Sequence, residues 1–145
     1  MTAPDALSGR CLCGAVRFTV QPKHREMDVC HCGMCRRWSG GALMSVECVP
    51  GITIDDEAKL GLYGSSDHGE RGFCRICGSS LFWRMRDGSL LTVSAQAFDD
   101  PAQFTFATEI FIDDKPPNYA FAGSTVKKTG AEIAAMFPGL TEPSA

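Results

Sequence analysis

The chain has 145 residues, enough to bury a core without the covalent staples that small scaffolds need below about 70–80 residues. Fourteen Lys and Arg against seventeen Asp and Glu leave a formal charge of −3, which gives no general attraction to a phosphate backbone, so nucleic acid is not an expected partner. No run of about 18 apolar residues occurs and MTAPDALSGR has no basic leader, so neither membrane spanning nor export is expected and a cytoplasmic location follows.

Along the chain, Gly and Pro punctuate short runs rich in Val, Ile, Phe and Thr. Ala15 to Val20, Ala42 to Val49, Ser80 to Met85, Leu90 to Ser94 and Glu109 to Ile112 read as strands of a mainly β, antiparallel domain. In the second of these, alternation puts Met44, Val46 and Cys48 on one face and Leu43, Ser45 and Glu47 on the other, so Cys48 belongs with core residues. Two segments read as short helices. Arg36 to Ser39 is closed by Gly40-Gly41, and residues 130–137 follow the capping-box spacing of Thr129 and Glu132, with Ile133, Met136 and Phe137 forming one apolar stripe read as packing. Asp99-Asp100-Pro101 and Asp113 to Asn118 are turns. With no repeat or linker, residues 1–145 are expected to form a single domain, and Thr141 to Ala145 to fray.

Eight cysteines at short spacings in a reducing compartment point to metal rather than disulfides, because thiolates are good zinc ligands. Two residues between Cys74 and Cys77 let both sulfurs converge on one ion, and Gly78 permits the tight turn. A structural zinc takes four ligands, and Cys11 and Cys13, also followed by glycine, form the matching pair.

Cys30, Cys32 and Cys35 make a cluster with no evident fourth partner. His31, Cys48, a carboxylate, water and a substrate are the candidates, with His31 and Cys48 disfavoured because one lies between two ligands and the other faces the core. His24 and His68 lie in polar loop sequence and are expected to be solvated. Three protein ligands plus one exchangeable position is the arrangement catalytic zinc needs. Three thiolates leave the site at a formal charge of −1, a weak generator of hydroxide but a good receptor for another soft ligand, such as an incoming thiol.

Gly9-Arg10-Cys11-Leu12-Cys13-Gly14-Ala15-Val16, Cys30-His31-Cys32 through Cys35-Arg36, and Arg71-Gly72-Phe73-Cys74 through Cys77-Gly78 together resemble the GFA family, the glutathione-dependent formaldehyde-activating enzyme group. The likeness runs from Gly9 to about Ala122. It implies a zinc-bound β-tent domain with a structural zinc on Cys11, Cys13, Cys74 and Cys77 and a catalytic zinc on Cys30, Cys32 and Cys35. It also implies condensation of glutathione with formaldehyde, or the reverse carbon–sulfur cleavage. The family's late strand commonly reads His-Ile followed by proline and aromatics, whereas this chain has Glu109-Ile110 and then Pro116-Pro117-Asn118-Tyr119.

Glutathione carries two carboxylates, and Arg36 is the expected contact for one of them, with Arg37 and Arg71 read as surface residues and Trp38 as packing. The expected partner is a small thiol, with homo-oligomer formation left open. The alternative reading is a non-catalytic, zinc-stabilised binding or scaffold module, in which Cys48 or His31 closes the second site.

Overall fold

A computed structural model describes residues 5–137; the expected fraying of Thr141 to Ala145 lies outside them. Among these residues the chain is mostly β with two short helices, as expected from the sequence, and its eleven strands form two sheets. A three-stranded sheet has the order β1 (Leu7–Arg10), β2 (Arg17–Val20), β5 (Thr53–Ile54). The larger, eight-stranded sheet starts at one edge with β11 (Val126–Lys128), β10 (Thr105–Ile110), β3 (Glu26–Cys30) and β4 (Leu43–Cys48). It continues through β9 (Leu91–Ser94), β8 (Ser80–Met85), β7 (Gly69–Cys74) and β6 (Leu60–Gly64).

Pairing is antiparallel except where β10 runs parallel to both β3 and β11. Parallel pairing requires a long crossover, and the chain between Cys30 and Thr105 supplies it. The consequence is local to the site: Ile110 pairs with Cys30 and Glu109 with Val29, so the end of β10 lies beside the middle cysteine cluster.

Helix α1 (Gly33–Ser39) begins earlier than its sequence suggested, because the Cys32 side chain caps it by accepting from Cys35 N–H. Helix α2 (Gly130–Met136) has the full capping box: Glu132 N–H donates to Thr129 Oγ1 (3.2 Å) and Thr129 N–H donates to Glu132 Oε1 (3.0 Å). The two acidic turns contain short 3-10 segments at Pro101–Gln103 and Ile112–Asp114.

Strands β6 and β7 were not foreseen, since LGLYG and GERGFC are poor in β-branched residues. Two glycines have a packing reason. A Cβ on Gly72 would lie 2.3 Å from the Phe82 ring, and one on Gly61 2.3 Å from the Phe73 ring, so each glycine is the floor on which a cross-strand aromatic rests.

The eight-stranded sheet has two unlike faces. One carries Met44, Val46, Cys48, Val93 and Phe82 into the main core with Phe18 and Val20 of the small sheet and Val16 just before β2. The opposite face carries Leu43, Ser45 and Glu47 of β4, Asp28 and Cys30 of β3, and Thr108 and Ile110 of β10 into the wall of a cavity of about 480 Å³. The alternation expected for β4 is thus the division between core and cavity.

Candidate metal and substrate site

The four outer cysteines sit on two hairpin turns. Cys11 and Cys13 lie in the turn joining β1 to β2, where Cys11 N–H donates to Val16 O and Gly14 N–H donates back to Cys11 O. Cys74 ends β7 and Cys77 follows in the turn to β8, closed by Gly78 N–H to Cys74 O, with Gly78 at a positive φ of 81°. One turn belongs to each sheet, so these sulfurs meet where the two sheets join. All four lie within 4.8 Å of one another, with Cys11–Cys13 at 3.7 Å and Cys13–Cys74 at 3.9 Å.

Four thiolates about 2.3 Å from a tetrahedral ion stand roughly 3.8 Å apart, so this donor set fits zinc. Backbone amides already point at sulfur, from Val16 to Cys11 (3.3 Å), and from Ile76 (3.3 Å) and Cys77 (3.4 Å) to Cys74. The Ser79 hydroxyl beside Cys77 (3.1 Å), with backbone amides, holds that thiol below its ordinary value, at about 5.

The middle cluster is built from a strand end and a helix start. Cys30 closes β3, Cys32 caps α1 and Cys35 lies in its first turn; their sulfurs also lie within 4.8 Å of one another, and all three are buried. Hydrogen bonds from Cys30 and Cys32, and then the charge of Arg71, hold the Cys35 thiol well below its ordinary value. The same contacts, with burial, push Cys30 well above it, so negative charge settles first on Cys35. The cluster can hold a metal ion and is compatible with zinc.

Among the described residues, neither His31 nor Cys48 nor a carboxylate joins the three sulfurs as a fourth ligand. Cys48 is fully buried in the main core on the other sheet face, with Sγ against Val46 O (3.4 Å), and burial pushes its thiol up to about 12. His31 is also fully buried, but both ring nitrogens are occupied: Nδ1 with the Tyr119 hydroxyl and Nε2 with Glu109 Oε1, each at 2.7 Å. A neutral imidazole donating from Nε2 to the carboxylate and accepting the Tyr119 O–H at Nδ1 satisfies all three groups.

Glu109 is completed by the Thr125 hydroxyl and, at 3.6 Å, Lys127 Nζ. Although burial opposes it, the hydrogen bonds from Thr125 and His31 keep the Glu109 carboxyl below its ordinary value. Sequence reasoning noted Glu109 only as a departure and gave Tyr119 no role. The partners lie 78 and 88 residues from His31, and no local pattern signals such a pairing.

The cations differ from expectation as well. Arg71, read as a surface residue, is 4% exposed and lines the cavity, with Nη1 3.6 Å from Cys35 Sγ, Nε on the Ser65 hydroxyl (3.1 Å) and its guanidinium over the Trp38 ring at 5.1 Å. Arg36 donates from Nε to His31 O (2.9 Å) and is not among the cavity-lining residues. His68, expected in solvent, lines the cavity. So does Asp28, whose carboxyl burial pushes up to about 6.

Residues 6–114 match the sequence model of the family described as glutathione-dependent formaldehyde-activating enzyme. An uncharacterized lyase of Schizosaccharomyces pombe is 32% identical over 126 residues, covering 86% of this chain and 92% of the relative. A Halomonas elongata protein with the provisional name of glutathione-dependent formaldehyde-activating enzyme is 32% identical over 85 residues, about half of each chain (52% and 54%). A crystal structure of a Rhodobacter sphaeroides protein shares the fold at a TM-score of 0.55 and 23% identity, covering 64% of this chain and 88% of that one.

Proposed function

This chain belongs to the family of the glutathione-dependent formaldehyde-activating enzyme, and from that premise we propose a zinc-dependent carbon–sulfur lyase acting on glutathione, or a related small thiol, and its aldehyde adduct. The observation that carries this reading is the convergence of three buried sulfurs on the wall of the 480 Å³ cavity, with neither Cys48 nor His31 in reach as a fourth ligand. Residues 1–145 are read as one functional domain, with a small thiol as partner and the cytoplasm as location. No helix among the described residues is long and apolar enough to cross a membrane.

Cys11, Cys13, Cys74 and Cys77 would hold a structural zinc, and Cys30, Cys32 and Cys35 a second zinc supplying a Lewis acid suited to a soft sulfur ligand. The protein's own groups do the rest. Arg71 sets a fixed positive charge against Cys35 and faces the cavity, where a carboxylate or thiolate of the substrate can meet it; Trp38 holds its guanidinium plane. Arg36, whose Nε is engaged with His31 O outside the cavity lining, would meet the second carboxylate of glutathione only where the thiol extends beyond the cavity. The hydrogen bonds His31 donates to Glu109 and accepts from Tyr119 hold its ring, and with it the backbone between the first two cysteines.

Breaking the carbon–sulfur bond of an adduct releases the hydroxyl proton as the carbonyl forms. We assign its uptake to Asp28, a cavity-lining carboxylate on the strand that ends in Cys30.

Elemental analysis of the purified chain tests the reading: two zinc ions per chain are expected, and in a cobalt-substituted sample added glutathione should shift the visible spectrum. One tightly bound metal per chain, or a spectrum indifferent to thiols, would leave the non-catalytic scaffold as the better account.

A further inference from the structure

Apart from Arg71 at Cys35, the side chains packed with the three sulfurs beside the cavity are apolar. Leu43, Phe111 and Ile133 are buried in one cluster with Cys30, Cys32 and Cys35, and Met34 and Ile110 pack against it. The carboxylates Asp28 and Glu47, with Lys128, line the cavity outside that cluster. Helix α2 and the residue that ends it supply two groups on this side, Ile133, which is 4% exposed, and Phe137, which packs against the cluster; Met136 of α2 also lines the cavity, 53% exposed. Helix α2 lies beyond the 6–114 segment that matches the family, whereas all seven clustered cysteines lie within it.

In a thiol–aldehyde adduct the carbon that came from the aldehyde is one bond from sulfur, while the charged ends of glutathione are many bonds further off. With sulfur at the cysteines, the substituent on that carbon meets the apolar wall, and the carboxylates and ammonium of the thiol reach the polar part of the cavity. Formaldehyde has no such substituent and would leave the wall uncovered. We infer that the carbonyl partner of this protein is an aldehyde with an aliphatic or aromatic group larger than hydrogen, selected by the wall that α2 completes. This deepens, and rests on, the lyase reading above.

In the cleavage direction the carbon–sulfur bond breaks with its electron pair going to sulfur. The hydroxyl O–H is lost as C=O forms, and the thiolate takes up a proton as it leaves; no oxidant or reductant is needed.

Binding of unreactive thioethers to the zinc-loaded full chain tests the wall without turnover. Titration calorimetry with S-methyl-, S-propyl- and S-hexylglutathione should give affinity rising about fourfold per added methylene until the wall is filled. Met136→Ala should flatten that rise, and Ile133→Ala should do so more strongly where far-UV circular dichroism shows it folded. Turnover of the glutathione adducts of formaldehyde, propanal and hexanal should favour the longer chains in kcat/KM.

Affinity that is flat or falls with chain length, or a slope that Met136→Ala leaves intact, would overturn the inference. If all adducts turn over with formaldehyde fastest and the thioether series is flat, the lyase reading stands and the wall inference falls. If the series tightens but no adduct is cleaved, the apolar subsite stands and the lyase reading falls.

Discussion

Four cysteines on two hairpin turns and three on a strand end and helix start form the two sulfur clusters, and their surroundings divide their roles. The outer four join segments 61 residues apart, one turn from each sheet, and the tips of both turns face solvent, with Leu12 82% and Ile76 66% exposed. Backbone amides point at two of their sulfurs, and four donors are the number a tetrahedral zinc takes. The inner three have a cavity on one side and a buried polar network on the other. On the proposed reading, the same ligand chemistry would serve closure of the fold in one place and a reactive position in the other; what differs is that the outer cluster has four sulfurs and the inner three face a cavity.

Substitution at the outer cluster should have the largest effect. Cys74→Ser is expected to unfold the chain, because structural thiolate zinc contributes on the order of 10 kcal/mol, comparable to a domain's whole net stability. Far-UV circular dichroism at 25 °C checks it; a folded variant with a normal melting curve would mean that the sheets hold together without the metal.

Cys35→Ser should do the opposite. The melting temperature should move by only a few degrees, while carbon–sulfur turnover falls at least a thousandfold, about 4 kcal/mol of transition-state stabilisation. Metal content should drop from two per chain to one. A variant that keeps both metals and full activity would dissolve the distinction between the clusters.

Glu109→Leu sharpens the comparison on the stability side. It leaves the buried His31 donor without its acceptor, an expected loss of about 1–3 kcal/mol measured by urea unfolding. The same variant should loosen metal at the inner cluster, seen as faster transfer to a chromophoric chelator, and leave the outer metal's release rate unchanged. Equal acceleration at both sites would show that the network supports the whole fold rather than one cluster.

Much of the fold was readable because its signals are local. Strand β8 was expected over the residues it occupies, and β4 and β9 within a residue, since β-branched and aromatic runs bounded by turn residues leave little choice. Strand β3 escaped because Glu26 and Asp28 interrupt it, and its reason for being a strand is its place between β4 and β10. At the site, the grouping of cysteines followed from spacing. The buried Arg71 did not, because its contacts with Cys35 and Trp38 cross 36 and 33 residues.

By itself, the sequence determined which sulfurs could share an ion within each turn, the two faces of β4 and the capped start of α2, because a few residues of chain geometry settle such features. Tertiary structure alone decided that His31 is committed to Glu109 and Tyr119, that Arg71 is buried against Cys35, and that α2 packs beside the apolar side of the cavity. Those outcomes depend on strand register and order, above all the parallel seating of β10 on β3, which brings Ile110 to Cys30; contacts between distant segments exist only once that register is formed.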